Sequence, residues 1–514
     1  MPAVHPLPKA LRARRGVLAR ATCAIGAGLA ALPAAAQDAG GLRITPALET
    51  SVSAVHSSSA TAPGNDTVLQ VRPGVQIAVG GGRLRGRLDY GLNAIHRSSS
   101  ASGLLQGQAD TLQNNLNAVL NAELVERWLF VDTTASITQQ AISAYGQQSV
   151  DGTQINANRT EVSQLAIHPH AQGSLAGWMS YQIGLSADAS HAQGAANADS
   201  RNTGLSLTLG SPSASAVVGW SLLGTQQTTS FGGRSTDSGR LSLSLLMRPD
   251  SDWNASLRGG QETTSIGSLL RQTYNNWGGD LRWTPSPRTT VLVGTDQRYF
   301  GRSHQVLLEH RFANSSLRYT SNGGANNAAN GSGVGQPVTV YQLFYNQLAS
   351  AQPDPTLRDQ LVRDTLLGLH LDGNAVVPGG FANGGPTLQR RDDLSLSYLG
   401  RRSTLTLQAF SSDTRRLDTT TPGVDTAAVR QMGLTGTITY HLTPTSNVNF
   451  SGSGLRTPGT ATQAGNRLRS AALSWSDQFN KFVSLSATAR YSAFDGGVNP
   501  YRESALSASL NLRF

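Results

Sequence analysis

The sequence predicts an all-β chain, a transmembrane antiparallel β-barrel of about 22 strands with a long helical loop insertion. Three observations predict it. Segment after segment sorts its side chains by parity into an apolar and a polar set. The connections alternate between tight turns and long polar loops. Aromatic residues gather at the tight-turn ends.

Residues 1–36 have the plan of a secretory signal. Lys9, Arg12, Arg14, Arg15 and Arg20 form a basic start, Ala21 to Leu32 is a short apolar core, and Ala34-Ala35-Ala36 offers a cleavage site before Gln37. That apolar run is too short to span a bilayer as a helix, and no later stretch approaches the roughly 20 apolar residues required. Cys23 is the only cysteine and falls inside the signal, so the mature chain, 37–514, is expected to lack disulfides and thiolate metal sites. Five of the 41 basic residues and none of the 31 acids leave with the signal, so the remainder carries 36 against 31, a net +5. The arginines are scattered along strands rather than gathered on one face, which argues against nucleic acid as a partner. Mean hydropathy is −0.24, far too low for a membrane helix bundle. A barrel hides its apolar half from such averages, because the other half of each strand faces water.

A charge on the lipid face costs about 2 to 4 kcal/mol near the midplane, so charged parities must point inward. Leu84, Leu88, Tyr90 and Leu92 alternate with Arg85, Arg87, Asp89 and Asn93. Trp277, Leu281 and Trp283 oppose Asp280 and Arg282, while Val291, Val293 and Tyr299 oppose Asp296 and Arg298. Val306, Leu308 and Phe312 oppose Glu309 and Arg311, and Leu317 and Tyr319 oppose Arg318. These ten charges are the candidate lumen residues. They admit a structural role, as a network that rigidifies the interior, and a selective role, as a charged ladder facing a passing solute. The arginine excess tilts selectivity toward anions, acidic polysaccharide included.

Tight turns are expected at Gly80 to Gly82, Glu126-Arg127, Ser174, Gly210 to Ser213, Pro249-Asp250, Pro285 to Pro287, Asn314, Gly400-Arg401, Thr443-Pro444 and Asn480-Lys481. Long loops are expected at His56 to Asp66, Ser98 to Asp110, Ser143 to Thr160, Gln193 to Ser200, Thr228 to Ser235, Asp418 to Val424 and Arg456 to Gly465. Turns inside and loops outside is the outer-membrane pattern. Trp128, Trp178, Trp253, Trp283, Phe312, Tyr398, Tyr440, Phe479, Phe482 and Phe514 form the expected periplasmic girdle. Pro46 and Pro73 lie inside the first two strands, where a missing N–H predicts a bulge or a weak closing seam and leaves the count a margin of two strands.

Residues 322–385 differ in kind. A Gly/Asn-rich stretch precedes two helix-like pieces, Val338 to Ala351 and a second in which Asp354 caps, Pro355 takes the first position, and Leu357, Leu361, Val362 and Leu366 share a face. Such a hairpin would serve either as a plug in the lumen or as a lid on the mouth. The last strand, Tyr501 to Phe514, sets Leu506, Ala508, Leu510, Leu512 and Phe514 on one face against Ala505, Ser507, Ser509, Asn511 and Arg513.

Signs of chemistry are weak. His168 and His170 share a strand face but lack further ligands, and Gly80 to Gly82 precedes no helix that would make it a phosphate cradle. No nucleophile elbow is present. No catalytic, cofactor-binding or metal residues are assigned, and an enzyme is not expected. Too little chain precedes the first strand for a plug domain or a passenger, so neither a TonB-dependent receptor nor an autotransporter is expected.

Several segments carry a family resemblance: Val71-Arg72-Pro73-Gly74; Leu116 to Asp132 with Ala135; Arg298-Tyr299-Phe300-Gly301 leading into Leu308 to Phe312 and Arg318-Tyr319; and Pro353-Asp354-Pro355 before Leu388-Gln389-Arg390. In these the chain resembles outer-membrane barrels associated with the exosortase (PEP-CTERM) and exopolysaccharide system. The resemblance implies residence in the cell outer membrane of a Gram-negative bacterium and a link to extracellular polymer. A terminal strand ending on Phe514 likewise resembles the tag read by the β-barrel assembly machinery. Expected partners are outer-membrane lipid or lipopolysaccharide, that machinery, and exopolysaccharide or export components. The expected function is a passive porin-like conduit with a polar, slightly arginine-biased lumen. The alternative is a non-conducting receptor-like barrel that binds surface polysaccharide or sorted proteins.

Overall fold

The computed structural model describes residues 41–59, 64–99, 110–326 and 381–514, with short gaps at 151, 155, 176, 195–198, 212–216, 383–384, 419–426 and 498, and scattered residues between 341 and 366. The signal-like segment lies outside the described residues.

Twenty-two strands run in sequence order from β1 (Leu42–Ser59) to β22 (Tyr501–Arg513), each antiparallel to its neighbours in sequence. The last pairs with the first, from Ala47 opposite Arg513 to Ser59 opposite Tyr501, and the sheet closes. Closure removes both edges, the condition for burying strands in hydrocarbon. The Phe514 amide adds one more bond to the seam, donating to the Pro46 carbonyl at 3.1 Å.

Pro46 stands opposite Phe514 at the end of the seam, so its missing N–H forfeits only the reciprocal bond of that last pair. Pro73 leaves the β2 (Gly64–Gly80) to β3 (Leu84–Ser99) alignment unpaired at Arg72 and Pro73 with the same register on both sides, a gap rather than a bulge. The register does shift between Glu123 and Val125 and between Trp283 and Ser286, the second beside Pro285.

Parity is continuous around the cylinder. On β22, Leu506 is 64 % and Leu510 37 % exposed, whereas Glu503 on the other parity is buried. Leu243, Leu257, Leu434 and Leu473 repeat that outward exposure on other strands. An apolar band this continuous on a closed cylinder is a lipid face, and the chain is an outer-membrane barrel. All ten girdle aromatics are exposed at the tight-turn ends, with Trp253 stacked on Trp283 at 5.2 Å. Among the described residues no helix is long and apolar enough to cross a membrane.

Connection lengths follow the expected alternation with local corrections. Ser174 belongs to β6 (Arg159–Leu175), and the turn follows it. His56, Asp66, Thr228 and Ser235 all lie within strands. Between β9 (Val218–Phe231) and β10 (Arg234–Met247) only Gly232 (φ 53°) and Gly233 (φ 77°) remain, the two-positive-φ hairpin that twisted strands favour. Polar outer strand ends mimic loops because they project past the hydrocarbon, where both faces are wet.

In the insertion between β15 (Ser315–Asn326) and β16 (Thr387–Leu399), helical backbone is described at Tyr341, Phe344, Tyr345, Arg358, Asp359, Leu361, Val362 and Leu366. The two expected helices lie otherwise outside the described residues. Phe344, Leu348, Val362 and Leu366 form a buried cluster with Tyr341, Tyr345 and Leu361 against it. That cluster joins residues of the two expected pieces, with Val362 and Leu366 buried and Leu361 partly so, while Leu357 lies outside the described residues.

Candidate functional site

The polar interior and the segments folded over its outer mouth form the candidate site. On β1 to β3 and β4 (Asp110–Val125), luminal amides and hydroxyls make a rung: Ser51 donates to Gln70 at 3.2 Å, Gln70 to Asn93 at 2.7 Å, and Asn93 to Gln113 at 3.4 Å. Charges cluster on β11 (Trp253–Thr264), β12 (Gln272–Ser286) and β13 (Thr289–Arg298). Arg258 bridges Asp280 at 2.7 Å and Asp296.

Gly278 explains that bridge. It stands between Arg258 and Asp296 on one rung, and a Cβ there would lie 2.0 Å from the Asp296 carboxylate. Lacking one, it lets two side chains from non-adjacent strands meet above it. Nearby, Arg298 grips Glu262 with two N–H groups, the Nε bond being 2.9 Å, and Glu262 is buried. Beyond the insertion, Arg391 forks onto Asp393 at 2.8 and 2.9 Å and lies 4.5 Å over the Phe410 ring. Arg490 reaches buried Glu503 at 2.6 Å.

All ten expected charges take the luminal parity. Arg87 pairs with Asp89, and Arg318 lies 4.0 Å from Glu309. Asp280, Asp296 and Arg298 find Arg258 and Glu262, which the parity reading did not single out. Trp253 and Leu257 mark the outward parity of that strand and carried the signal. Arg311 donates to the Pro287 carbonyl. Arg85 and Arg282 are exposed and join no ion pair among the described residues. His168 and His170 separate: His168 lies 2.8 Å from Asp188, and His170 lies 3.5 Å from Asp132 and stacks on Phe130. Among the described residues no three of His, Cys, Asp and Glu converge to hold a metal.

The outer mouth is covered from two sides. Residues 142–158, between β5 (Leu129–Ala141) and β6, reach across to the seam wall. Tyr501 donates to the Gln148 carbonyl at 2.9 Å, its hydroxyl lies 3.1 Å from the Gln154 side-chain amide, and Asn466 donates to the Ala144 carbonyl at 2.9 Å. Val150 packs on a buried luminal cluster of Leu455, Leu468, Phe494 and Tyr501. The near wall holds the same loop, since Arg97 and Gln113 donate to the carbonyls of Thr153 and Gly152.

The end of the insertion crosses the other way. The Ala382 amide donates to the Ala141 carbonyl at 2.8 Å, and Ala382 packs with Val162 and Ala192 on the far wall from β16. Gly385 sits against the Phe231 ring, and Arg234 pairs with buried Asp418. Deeper, Tyr341 donates to Asp359, and burial followed by that carboxylate pushes its phenol well above the usual range.

No protein-family model and no curated protein matches the chain. Among solved structures it is similar to the FrpB iron transporter from Neisseria meningitidis, at 10 % identity and TM-score 0.47, over 92 % of this chain and 82 % of that one. It is similar also to a mutant ferric enterobactin receptor, PfeA, from Pseudomonas aeruginosa, at 10 % identity and TM-score 0.45, over 91 % and 80 %. A third is a loop-deletion mutant of OmpT, an outer membrane protein of Vibrio cholerae, at 8 % identity and TM-score 0.31, over 93 % and 100 %.

Proposed function

We propose that the chain is a receptor-like outer-membrane barrel, occluded at rest, that handles extracellular polysaccharide or sorted proteins beside an exosortase (PEP-CTERM) system. The observation that carries the occluded state is the cross-mouth latch, in which Tyr501 and Asn466 on the seam wall hold the carbonyls of Gln148 and Ala144. A passive porin needs continuous water from mouth to mouth. Here apolar side chains lie beneath the loop at the outer mouth, and Ala382 at the end of the insertion packs on the opposite wall. The identity of the cargo rests on the family resemblance of segments such as Leu116 to Asp132 and Arg298 to Phe312. Phe514, exposed at the periplasmic end, is the residue proposed for recognition by the assembly machinery.

A second reading, a conduit that opens when its cap leaves, is favoured by the exposed luminal Arg85 and Arg282. Planar-bilayer recording of the purified full chain separates the two. The occluded reading expects silence from the intact protein and steady conductance after deletion of residues 327–385 with Tyr501→Phe and Asn466→Ala. Steady conductance by the intact protein would overturn it. Binding of purified acidic exopolysaccharide to whole cells, lost on deletion of the gene, tests the cargo.

A further inference from the structure

The register gathers arginines on the outside of the barrel as well as within it. They occupy the extracellular ends of β19 (Ser446–Thr457), β20 (Asn466–Gln478) and β22. Arg456 and Arg467 stand directly opposite one another. Arg469 and Arg502 lie on one rung with Ala493 of β21 (Val483–Gly496) between them. All four take the lipid-facing parity of their strands and are exposed.

Two features set them apart from scattered surface charge. Like charges directly opposite across a sheet destabilise the pair, and Arg456 and Arg467 carry that cost with no ion pair among the described residues. Asp495, opposite Arg467, is the one acid on these rungs and makes no ion pair with it. The floor between the arginines is also cut away. A Cβ at Gly454, opposite Arg469, would meet nothing within 4 Å, and Ala493 is buried between its two arginine neighbours. Four cations therefore rim a shallow basin floored by Gly454 and Ala493.

Height identifies the occupant. From Phe479 in the periplasmic girdle to Arg469 is ten residues along β20. At about 3.3 Å per residue and a tilt of about 40°, that is roughly 25 Å, the height of the apolar band of such a barrel. The basin thus lies where acyl chains end and headgroups begin, on the outer side. Further down the strands the same faces turn apolar, with Phe450, Leu473 and Leu506 exposed, and exposed Leu434 stands beside Gly454 on its own rung.

We propose that Arg456, Arg467, Arg469 and Arg502 form a site for the phosphate groups of an outer-leaflet glycolipid, whose acyl chains lie along the Leu434, Phe450, Leu473 and Leu506 face. Planar guanidinium groups present paired donors that match phosphate oxygens, and a dianion between Arg456 and Arg467 turns their repulsion into attraction.

The test is native mass spectrometry of the full chain in nanodiscs, titrated with a bis-phosphorylated acylated glucosamine disaccharide, its dephosphorylated form, and inorganic phosphate. A cation beside an anionic bilayer surface contributes roughly fivefold in affinity, so the triple variant R456S/R467S/R469S is expected to bind the phosphorylated glycolipid roughly a hundredfold more weakly. R201S, an exposed outward arginine on β8 (Ser200–Gly210), is expected to leave binding unchanged. Folding is checked by heat-modifiable gel mobility. Should the triple variant fail that check, R456S and R469S singly are each expected to weaken binding about fivefold. Unchanged affinity in the folded variants, equal binding of the dephosphorylated lipid, or saturation of the site by inorganic phosphate alone would each overturn the proposal.

Discussion

Glu262 offers the sharpest test of the luminal network. Its carboxyl is 2 % exposed, it takes two N–H groups from Arg298, and it stands opposite Arg240 in the register. Glu262→Ala leaves Arg298, Arg240 and Arg258 with Asp296 and Asp280 to offset three cations, and both acids are already engaged by Arg258. Removing one partner of a buried pair costs about 3 to 5 kcal/mol. Arg298 keeps 21 % of its side chain exposed and luminal water reaches it, so the lower end, about 3 kcal/mol, is the expected loss. Arg298→Ala alone strands the carboxylate and should cost a similar amount, while the double variant should cost clearly less than the sum. Urea titration of the vesicle-inserted barrel, followed through its 7 tryptophans, gives the double-mutant cycle. A coupling of about 2 kcal/mol or more is predicted, and additivity to within about 0.5 kcal/mol would refute the reasoning.

Three further outcomes are expected. Tyr501→Phe and Asn466→Ala each remove a latch bond worth about 1 kcal/mol, so each should raise the open fraction of the β5–β6 loop roughly fivefold, read as protease cutting between residues 142 and 158 on intact cells. Gly232→Ala with Gly233→Ala forces two alanines into positive φ at about 1 kcal/mol each or more, lowering the urea midpoint, whereas Gly454→Ala, with open space around it, should not. Burial raises the Asp199 carboxyl, but the Ala192 amide and His191 together hold it below the usual carboxylate value of 3.8. A depressed folded value stabilises the loop end above the unfolded carboxylate range, and that stability disappears as pH falls through the folded value. Hydrogen exchange at the Ala192 amide should therefore lose protection only below about pH 3.8, and Asp199→Asn should flatten the dependence.

Much of the barrel was legible because lipid imposes a period of two on every strand, and β22 states it without exception from Leu506 to Leu512. The girdle was legible for the same reason, since Trp and Phe at strand ends have few other uses. Loop lengths were misjudged where that constraint lapses. Thr228 to Ser235 carries Phe231 as its one apolar side chain, too few to show an alternation, so nothing local marks it as strand. Within the site, Arg258 and Glu262 escaped because Gly259 and Gly260 interrupt the pattern of β11. The cap was illegible in principle: Asn466 and Ala144 are 322 residues apart, and neither carries a local mark of the other. The outer arginines were present in the sequence as scattered charge and became a patch only once the register set β19 to β22 side by side.

Closure of the cylinder is the claim on which the lumen, the cap and the lipid face all depend. Ser53 on β1 and Ser507 on β22 lie opposite each other across the seam, on the luminal parity. Ser53→Cys with Ser507→Cys, oxidised in whole cells, should link the two ends of the chain and change the mobility of the boiled protein on a gel. Ser53→Cys with Leu506→Cys, one residue out of register and facing lipid, should not. Absence of the first cross-link, or equal yield from both pairs, would contradict a closed barrel with this register.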